Sequence, residues 1–255
     1  MPKIIFLGTG ASSCRDLRDN TSLLLIYRKK PFLIDAGGSI CYKLTRLGIK
    51  FYTLKDIIIT HLHPDHIYGL VSLVHSQGYL NSALKIYTHK RSIKFIRKLL
   101  RLFKLTASPY PCIKLIDVFS KKYFYIDKNL KIEAFKTLHT PESFGIIIWY
   151  KSKKVVYSSD TAFFEKMMKI YKGASILIHE STSYRSYFQK HTRLYKMHTS
   201  SFQLSLLASK VKPKILIPIH FLGMSKKSVS RIIEELYKHY PYKIVVPQDF
   251  SRIDF

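Results

Sequence analysis

The sequence predicts a single α/β domain with mixed strand pairing, spanning residues 1–255. Short apolar runs of strand length alternate along the chain with segments whose apolar residues recur at helical spacing. No Pro/Gly/Ser-rich linker interrupts that alternation, and no repeat of the roughly 20–50-residue kind is visible. Apolar and aromatic residues make up 47% of the chain, enough to bury a substantial core without covalent staples.

Residues 4–7 form a short apolar strand that Gly8-Thr9-Gly10 turns. Strands at 22–27 and 31–35 flank the basic turn Arg28-Lys29-Lys30. Gly37-Gly38 opens a helix that runs to about Leu47, and 57–60 is the next buried strand. A helix over 67–78, a strand over 84–87 and a basic amphipathic helix over 90–105 follow. The apolar stripe of that last helix is Ile93, Ile96, Leu99, Leu100 and Phe103; its other face carries Lys90, Lys94, Arg97, Lys98, Arg101 and Lys104. A solvated outer face accounts for those cations as well as RNA contact does. The second half places strands near 131–137, 144–150 and 154–158, a helix near 162–171 and a strand at 175–179. A helix near 200–210, a strand at 214–219, a helix near 226–239 and a last strand at 243–246 complete it.

Charge is the strongest compositional signal: 43 Lys+Arg against 16 Asp+Glu, a net of +27. Such an excess favours a polyanionic partner, through phosphate contacts and counterion release. The cysteines Cys14, Cys41 and Cys112 are odd in number, far apart and form no CxxC pair, so neither a disulfide framework nor a thiolate zinc site is indicated. The N-terminal apolar run is too short for a signal peptide, and no other segment reaches about 18 uninterrupted apolar residues. A cytoplasmic protein without a membrane partner is expected.

The stretch Ile57-Ile58-Ile59-Thr60-His61-Leu62-His63-Pro64-Asp65-His66 runs from a buried strand straight into three histidines and an aspartate. Desolvation and mutual repulsion would penalise this cluster without an ion. Imidazole and carboxylate at this density suit Zn²⁺, and by ligand type also Mn²⁺ or Fe. One loop cannot complete two coordination shells, so further donors are expected after later strands. His139, Asp160 and His220 each stand at such a place.

With these residues the chain resembles the metallo-β-lactamase superfamily over nearly its whole length. Leu7-Gly8-Thr9-Gly10, Leu33-Ile34-Asp35-Ala36-Gly37 and Asp65-His66-Ile67-Tyr68-Gly69-Leu70 carry the resemblance beside the histidine cluster. It implies a four-layer αβ/βα sandwich of two mixed sheets with outer helices. It also implies that His61, His63 and His139 hold one zinc, that Asp65, His66 and His220 hold the other, and that Asp160 bridges them. His75, His89, His179, His191 and His239 match no ligand position and read as surface or hydrogen-bonded core.

Two further segments narrow the resemblance. Ile178-His179-Glu180-Ser181-Thr182 resembles the "HEAT" segment of ribonuclease Z, the tRNA 3′-end processing endonuclease, and Met197-His198-Thr199-Ser200 resembles its "HST" segment. A carboxylate that orients a histidine keeps the imidazole protonated and aimed at a phosphate oxygen. The resemblance therefore implies a dinuclear-zinc endoribonuclease that removes the 3′ trailer of pre-tRNA. A metal-bridging hydroxide steered by Asp65 would attack phosphorus, with His198, held by Glu180, at the scissile phosphate. Between the two segments aromatics and cations interleave, which makes Arg185, Lys190, Arg193 and Lys196 the candidate RNA contacts. Homodimers are common in that family.

The chain also departs from the family's pattern. His139 and Asp160 stand 21 positions apart, with no room for the long arm many ribonucleases Z use to clamp tRNA. Phe221-Leu222-Gly223-Met224 also differ from the usual continuation after the last histidine. Two other readings follow: a phosphodiesterase for a small substrate, such as a cyclic nucleotide, and a non-catalytic RNA-binding scaffold. The full donor set argues against the scaffold. The absence of a cysteine at position 160 argues against β-lactamase, and the absence of a flavodoxin module against flavodiiron chemistry.

Overall fold

The computed structural model describes residues 1–12, 18–79, 83–222 and 225–255. Its strands are β1 (Lys3–Gly8), β2 (Ser22–Tyr27), β3 (Lys30–Ile34), β4 (Asp56–Ile58), β5 (Ala83–Thr88), β6 (Cys112–Asp117) and β7 (Tyr125–Asp127). Then come β8 (Leu130–Lys136), β9 (Phe144–Tyr150), β10 (Lys153–Tyr157), β11 (Ile176–Glu180), β12 (Ile215–Ile219) and β13 (Arg252–Asp254). They build a seven-stranded sheet ordered β13-β1-β2-β3-β4-β5-β6 and a six-stranded sheet ordered β12-β11-β10-β9-β8-β7, both of mixed pairing.

Alternation along each strand decides what fills each layer. On β2, Leu23 and Leu25 point between the sheets, where they join Phe6, Ile34, Ile58, Ile132, Phe144, Ile146, Tyr157, Ile178 and Ile217. Leu24 points the other way, toward α1 (Ile40–Arg46), α3 (Gly69–Ser76) and α4 (Lys90–Leu102), and packs with Leu44, Leu73 and Ile96. On the outer face of the second sheet, Val156 and Leu177 meet Met167 of α5 (Lys166–Tyr171), Leu204 of α7 (Ser201–Val211) and Ile232 of α8 (Lys226–His239). Both faces of both sheets are buried, so their strands read as continuous apolar runs. The result is the four-layer sandwich that the resemblance implies, and the chain has the metallo-β-lactamase fold. Among the described residues no helix is long and apolar enough to cross a membrane.

Several element bounds differ from expectation. The strand expected at 57–60 ends at Ile58, because Thr60 turns its N–H to the Asp35 carboxylate (2.8 Å) rather than to a strand neighbour. The helix expected over 67–78 starts earlier, as the short α2 (Pro64–Ile67), and α3 continues past Tyr68. The helix expected from 162 begins at Lys166, since Thr161 and Ala162 bond instead to Glu180 and to the Leu138 carbonyl. Edge strands β6 and β7 carry no clean strand pattern in the sequence. The segment 243–246 supplies only an isolated bridge, Leu216↔Ile244, and β13 occupies the edge beside β1.

Candidate metal centre

Six strands deliver the site. β3 and β4 run parallel in one sheet, and β10, β11 and β12 run parallel in the other. β8 shares their direction, because β9 is antiparallel to both β8 and β10. Their C-terminal ends therefore meet at one rim. Three of these ends turn sharply: Asp35 (φ 61°), Ser159 (φ 54°) and His220 (φ 59°) all adopt left-handed backbone. Such residues cost on the order of 1–2 kcal/mol each and persist where the surroundings over-determine them, which is common around reacting groups. Glycine serves the close approach beneath: a Cβ on Gly69 would stand 2.4 Å from the Gly37 carbonyl oxygen, so these loops touch backbone to backbone.

The structure brings all seven predicted metal residues together. Donor atoms of His61, His63, His139 and Asp160 form one group within 4.8 Å of one another, and those of Asp65, His66, Asp160 and His220 form a second. Asp160 is common to both. Its Oδ2 lies 3.7 Å from His61 Nε2, 3.7 Å from His139 Nε2 and 3.2 Å from His220 Nε2, while Oδ1 lies 3.5 Å from His66 Nε2. Ligands about 2.1 Å from one ion at tetrahedral angles stand roughly 3.4 Å apart, so these separations suit a zinc-sized ion.

Tautomers support the same fit. His66 Nδ1 bonds the Asp35 carboxylate (2.9 Å), and His139 Nδ1 donates to the Met197 carbonyl (2.7 Å). Thr60 gives its hydroxyl proton to Asp35, so its oxygen is free to accept from His61 Nδ1 (3.2 Å). Thr182 donates to Glu180 (2.7 Å) and in the same way faces His220 Nδ1 (3.1 Å). Each imidazole is thus held by Nδ1 and turns Nε2 inward, the arrangement by which outer partners orient metal ligands. The Nε2 atoms of His61, His66 and His220 are buried without a hydrogen-bond partner. His63 is the exception, presenting Nδ1 to His139 Nε2 at 2.8 Å. Buried, unpartnered nitrogens converging on a carboxylate are what a divalent cation would satisfy.

Charge within the rim follows from burial and pairing. Burial would raise Asp160, yet His220 and His66 hold it well below the usual carboxylate range. Burial lowers His66 and His220, but the carboxylates more than reverse this: Asp160 and Asp35 keep His66 high, and Asp160 carries His220 up to about 10. His61, with burial and the neighbouring His66 both against its charged form, is pushed well down. Metal ligation needs neutral imidazole, so ions must displace the protons on His66 and His220. Loading the metal-free protein at pH 7 in weak buffer is expected to release roughly two protons per chain, and affinity should fall as pH falls. Loading without proton release would mean the ions settle elsewhere.

Glu180 and His198 stand beside the cage. Glu180, fully buried, accepts from the backbone N–H of Thr161 (2.6 Å) and Thr199 (3.0 Å) and from the Thr182 hydroxyl, and His198 Nδ1 lies 3.2 Å from Oε1. With its lone pairs engaged it is a hydrogen-bond hub, although it also lies within metal-binding distance of His198 and His220. Burial works against a charged His198, and Glu180 overcomes this to raise it above its ordinary value. The His198 ring lies 4.9 Å from that of His139 and stacks on His220 at 5.4 Å. The Ser200 capping box with Gln203 fixes the start of α7 directly after it.

The four candidate RNA contacts are exposed on the lobe of α6 (Arg185–Lys190) and the 3-10 turn Thr192–Lys196 that leads into His198. Arg185 lies over the Phe202 ring at 4.3 Å, while Lys190, Arg193 and Lys196 are exposed. Sequence reasoning did not assign Asp35, Thr60, Thr182 or the Met197 carbonyl. Asp35 was signalled by its place in Leu33-Ile34-Asp35-Ala36-Gly37, whereas a backbone acceptor leaves no trace in residue type. Of the other histidines, His89 caps α4 and His179 is buried with Nδ1 on the Glu180 carbonyl.

The chain is similar to known proteins over its whole length. Ribonuclease Z of Saccharolobus solfataricus is 26% identical, with 99% of each chain covered, over an alignment of 302 positions. That exceeds this chain's 255 residues, so the relative carries segments this chain lacks. "Ribonuclease Z 2, mitochondrial" of Schizosaccharomyces pombe is 29% identical over 84% of this chain, which spans only 33% of that protein. The metallo-beta-lactamase fold protein YhfI of Bacillus subtilis superposes with a TM-score of 0.85 at 19% identity, covering 99% of this chain and 98% of its own. The chain is a metal-dependent hydrolase with the metallo-β-lactamase fold. Its residues 2–228 match the family profile described as "Anti-Pycsar protein Apyc1", and the chain belongs to that family.

Proposed function

We propose that the chain hydrolyses phosphodiester bonds with two divalent ions, Zn²⁺ by ligand type, and that its substrate is a compact phosphodiester of the cyclic-nucleotide kind. The observation that carries the choice of substrate is the β9–β10 hairpin. Tyr150 pairs Lys153, so the link between the strands is Lys151-Ser152 alone, and nothing reaches out between His139 and Asp160 to hold a folded RNA. Membership of a family named apart from the ribonucleases Z supports the same reading.

His61, His63 and His139 would hold one ion and Asp65, His66 and His220 the other, with Asp160 shared. When bound, the ions supply Lewis acidity toward phosphoryl oxygens and lower the pKa of water. The chain's own residues do the rest. Burial would raise Asp65, but His220, whose Nε2 lies 3.6 Å from Oδ2, and His66 hold it at about 2, so at neutral pH it is a carboxylate able to orient a proton. His198, kept protonated by Glu180, donates to the departing oxygen. The Glu180 hub, fastened to Thr161 and Thr199, fixes His198 relative to Asp160.

Metal-loaded protein incubated in parallel with a cyclic nucleotide, bis-p-nitrophenyl phosphate and a pre-tRNA bearing a 3′ trailer tests this. Turnover of the first two with the pre-tRNA left intact is expected. The end-to-end likeness to archaeal ribonuclease Z, with exposed Arg185, Lys190, Arg193 and Lys196 leading into His198, favours a second reading. Release of the trailer to leave a 3′-hydroxyl would select it. Failure on all three substrates would end the phosphodiesterase assignment.

A further inference from the structure

Three hairpins close at the end of the sandwich opposite the candidate metal centre, each with a two-residue loop. Tyr27 pairs Lys30 around Arg28-Lys29, Asp127 pairs Leu130 around Lys128-Asn129, and Tyr150 pairs Lys153 around Lys151-Ser152. Such loops need left-handed backbone, which Gly, Asn or Asp adopts at little cost. Here the left-handed positions are held by Arg28 (φ 51°), Lys29 (φ 63°), Lys128 (φ 45°) and Lys151 (φ 52°). A long side chain is strained in that region, so each turn forgoes stability that glycine would give. Each of the three turns thus keeps a cation at a strained position.

The turns meet around one open cavity of about 830 Å³. Lys3, Arg28, Lys29 and Lys128 line it with Tyr27 and Tyr150, and Asp254 is the acid among its lining residues. Lys151 stands beside it, its backbone N–H bonded to the Asn129 carbonyl (3.2 Å). Asp127 engages Arg28 (3.4 Å) and Lys30 (3.2 Å). Lys29, Lys128 and Lys151 have no ion pair among the described residues, and their ammonium groups are the compact point charges that suit phosphate oxygens. Tyr27 and Tyr150 pack edge to face on each other at 5.8 Å, so they form a wall and recognition falls to the cations.

We propose that this end of the sandwich is a second binding site, for a phosphate-bearing anion held by Lys29, Lys128 and Lys151, either a single-stranded phosphodiester or a free nucleoside triphosphate. The six residues of β2 separate it from the donor cage by roughly 20 Å at ~3.3 Å per residue. The site is therefore spatially distinct from the donor cage.

The test uses the full, metal-loaded chain. A labelled oligo-dT strand is titrated in a salt series against the parent, against Lys29→Gly/Lys128→Gly/Lys151→Gly, and against a charge-matched control on α4, Lys94→Ala/Lys98→Ala/Arg101→Ala. The turn variant should bind at least about tenfold more weakly, with a salt slope shallower by roughly two, while the control loses less than about threefold. Its melting temperature should equal or exceed the parent's, because glycine relieves the turns, and hydrolysis of bis-p-nitrophenyl phosphate should be unchanged. Displacement of the strand by ATP would assign the site to a free nucleotide; no displacement would assign it to a strand. Equal losses in the two variants, unaltered binding by the turn variant, no binding by the parent, or a lowered melting temperature would each overturn the proposal.

Discussion

Asp160→Asn is expected to lower kcat/KM on bis-p-nitrophenyl phosphate at least about a thousandfold, some 4 kcal/mol of transition-state stabilisation. Asp160 is the one residue that belongs to both groups of donors around the cage. An amide of the same shape keeps an oxygen but loses the charge that offsets two cations, so bound metal should fall from two ions per chain to one or fewer. Far-UV circular dichroism should be unchanged, since the loop stays fastened through Thr161 to Glu180 (2.6 Å) and through Ala162 to Leu138 (2.7 Å). Stability of the metal-free protein gives an independent readout. His220, raised from 6.5 to about 10, contributes stability that is fully present below pH 6.5 and lost as pH rises through 10. Removing the carboxylate that raises it should destabilise the variant most at about pH 6 and least at alkaline pH, where the parent has lost the same contribution. A variant with two bound ions and parental turnover would remove Asp160 from the chemistry.

The centre was legible in the sequence because its parts are chemically expensive wherever they are idle. Three histidines and an aspartate directly after Ile57-Ile58-Ile59 make sense only if something neutralises and orders them, and each later donor sits where a buried strand stops. The layers were legible for a related reason: strands buried on both faces, such as β9 and β12, become unbroken apolar runs. Where burial is one-sided the signal faded. β6 lies at a sheet edge with Cys112 and Lys114 exposed, and β7 keeps Ile126 exposed, so neither alternates cleanly. The segment 243–246 looks like a strand by composition, yet Pro247 follows it and it makes only a single bridge. The α6 lobe shows its charges and aromatics in the sequence, but its fold depends on Phe188 burying against Tyr195 (5.0 Å), a contact local periodicity does not reveal. Least visible were the acceptors that aim the imidazoles. Thr60 and Thr182 are ordinary residues until the fold sets them against Nδ1 of His61 and His220.

His198→Ala is expected to separate two kinds of substrate. A p-nitrophenolate departs without help, so the activated diester should lose less than about tenfold in kcat. A nucleoside alkoxide is a far poorer leaving group, and there the loss should be about 10²–10⁴-fold, the usual worth of a positioned general acid. The geometry requires the difference: His198 is 14% exposed at the mouth of the cage, its Nδ1 is taken up by Glu180 at 3.2 Å, and its ring lies against both His139 and His220. It adds no donor to either of the two groups that meet at Asp160, so metal content should be unchanged in the variant. Glu180→Gln tests the proton directly. Burial alone lowers His198 and Glu180 is what raises it, so with the carboxylate removed the imidazole should lose its proton at lower pH. The alkaline limb of kcat on the poor-leaving-group substrate should then move to lower pH, while the profile on bis-p-nitrophenyl phosphate stays in place. Equal losses on both substrates, or an alkaline limb indifferent to Glu180, would show that His198 shapes the pocket without delivering a proton.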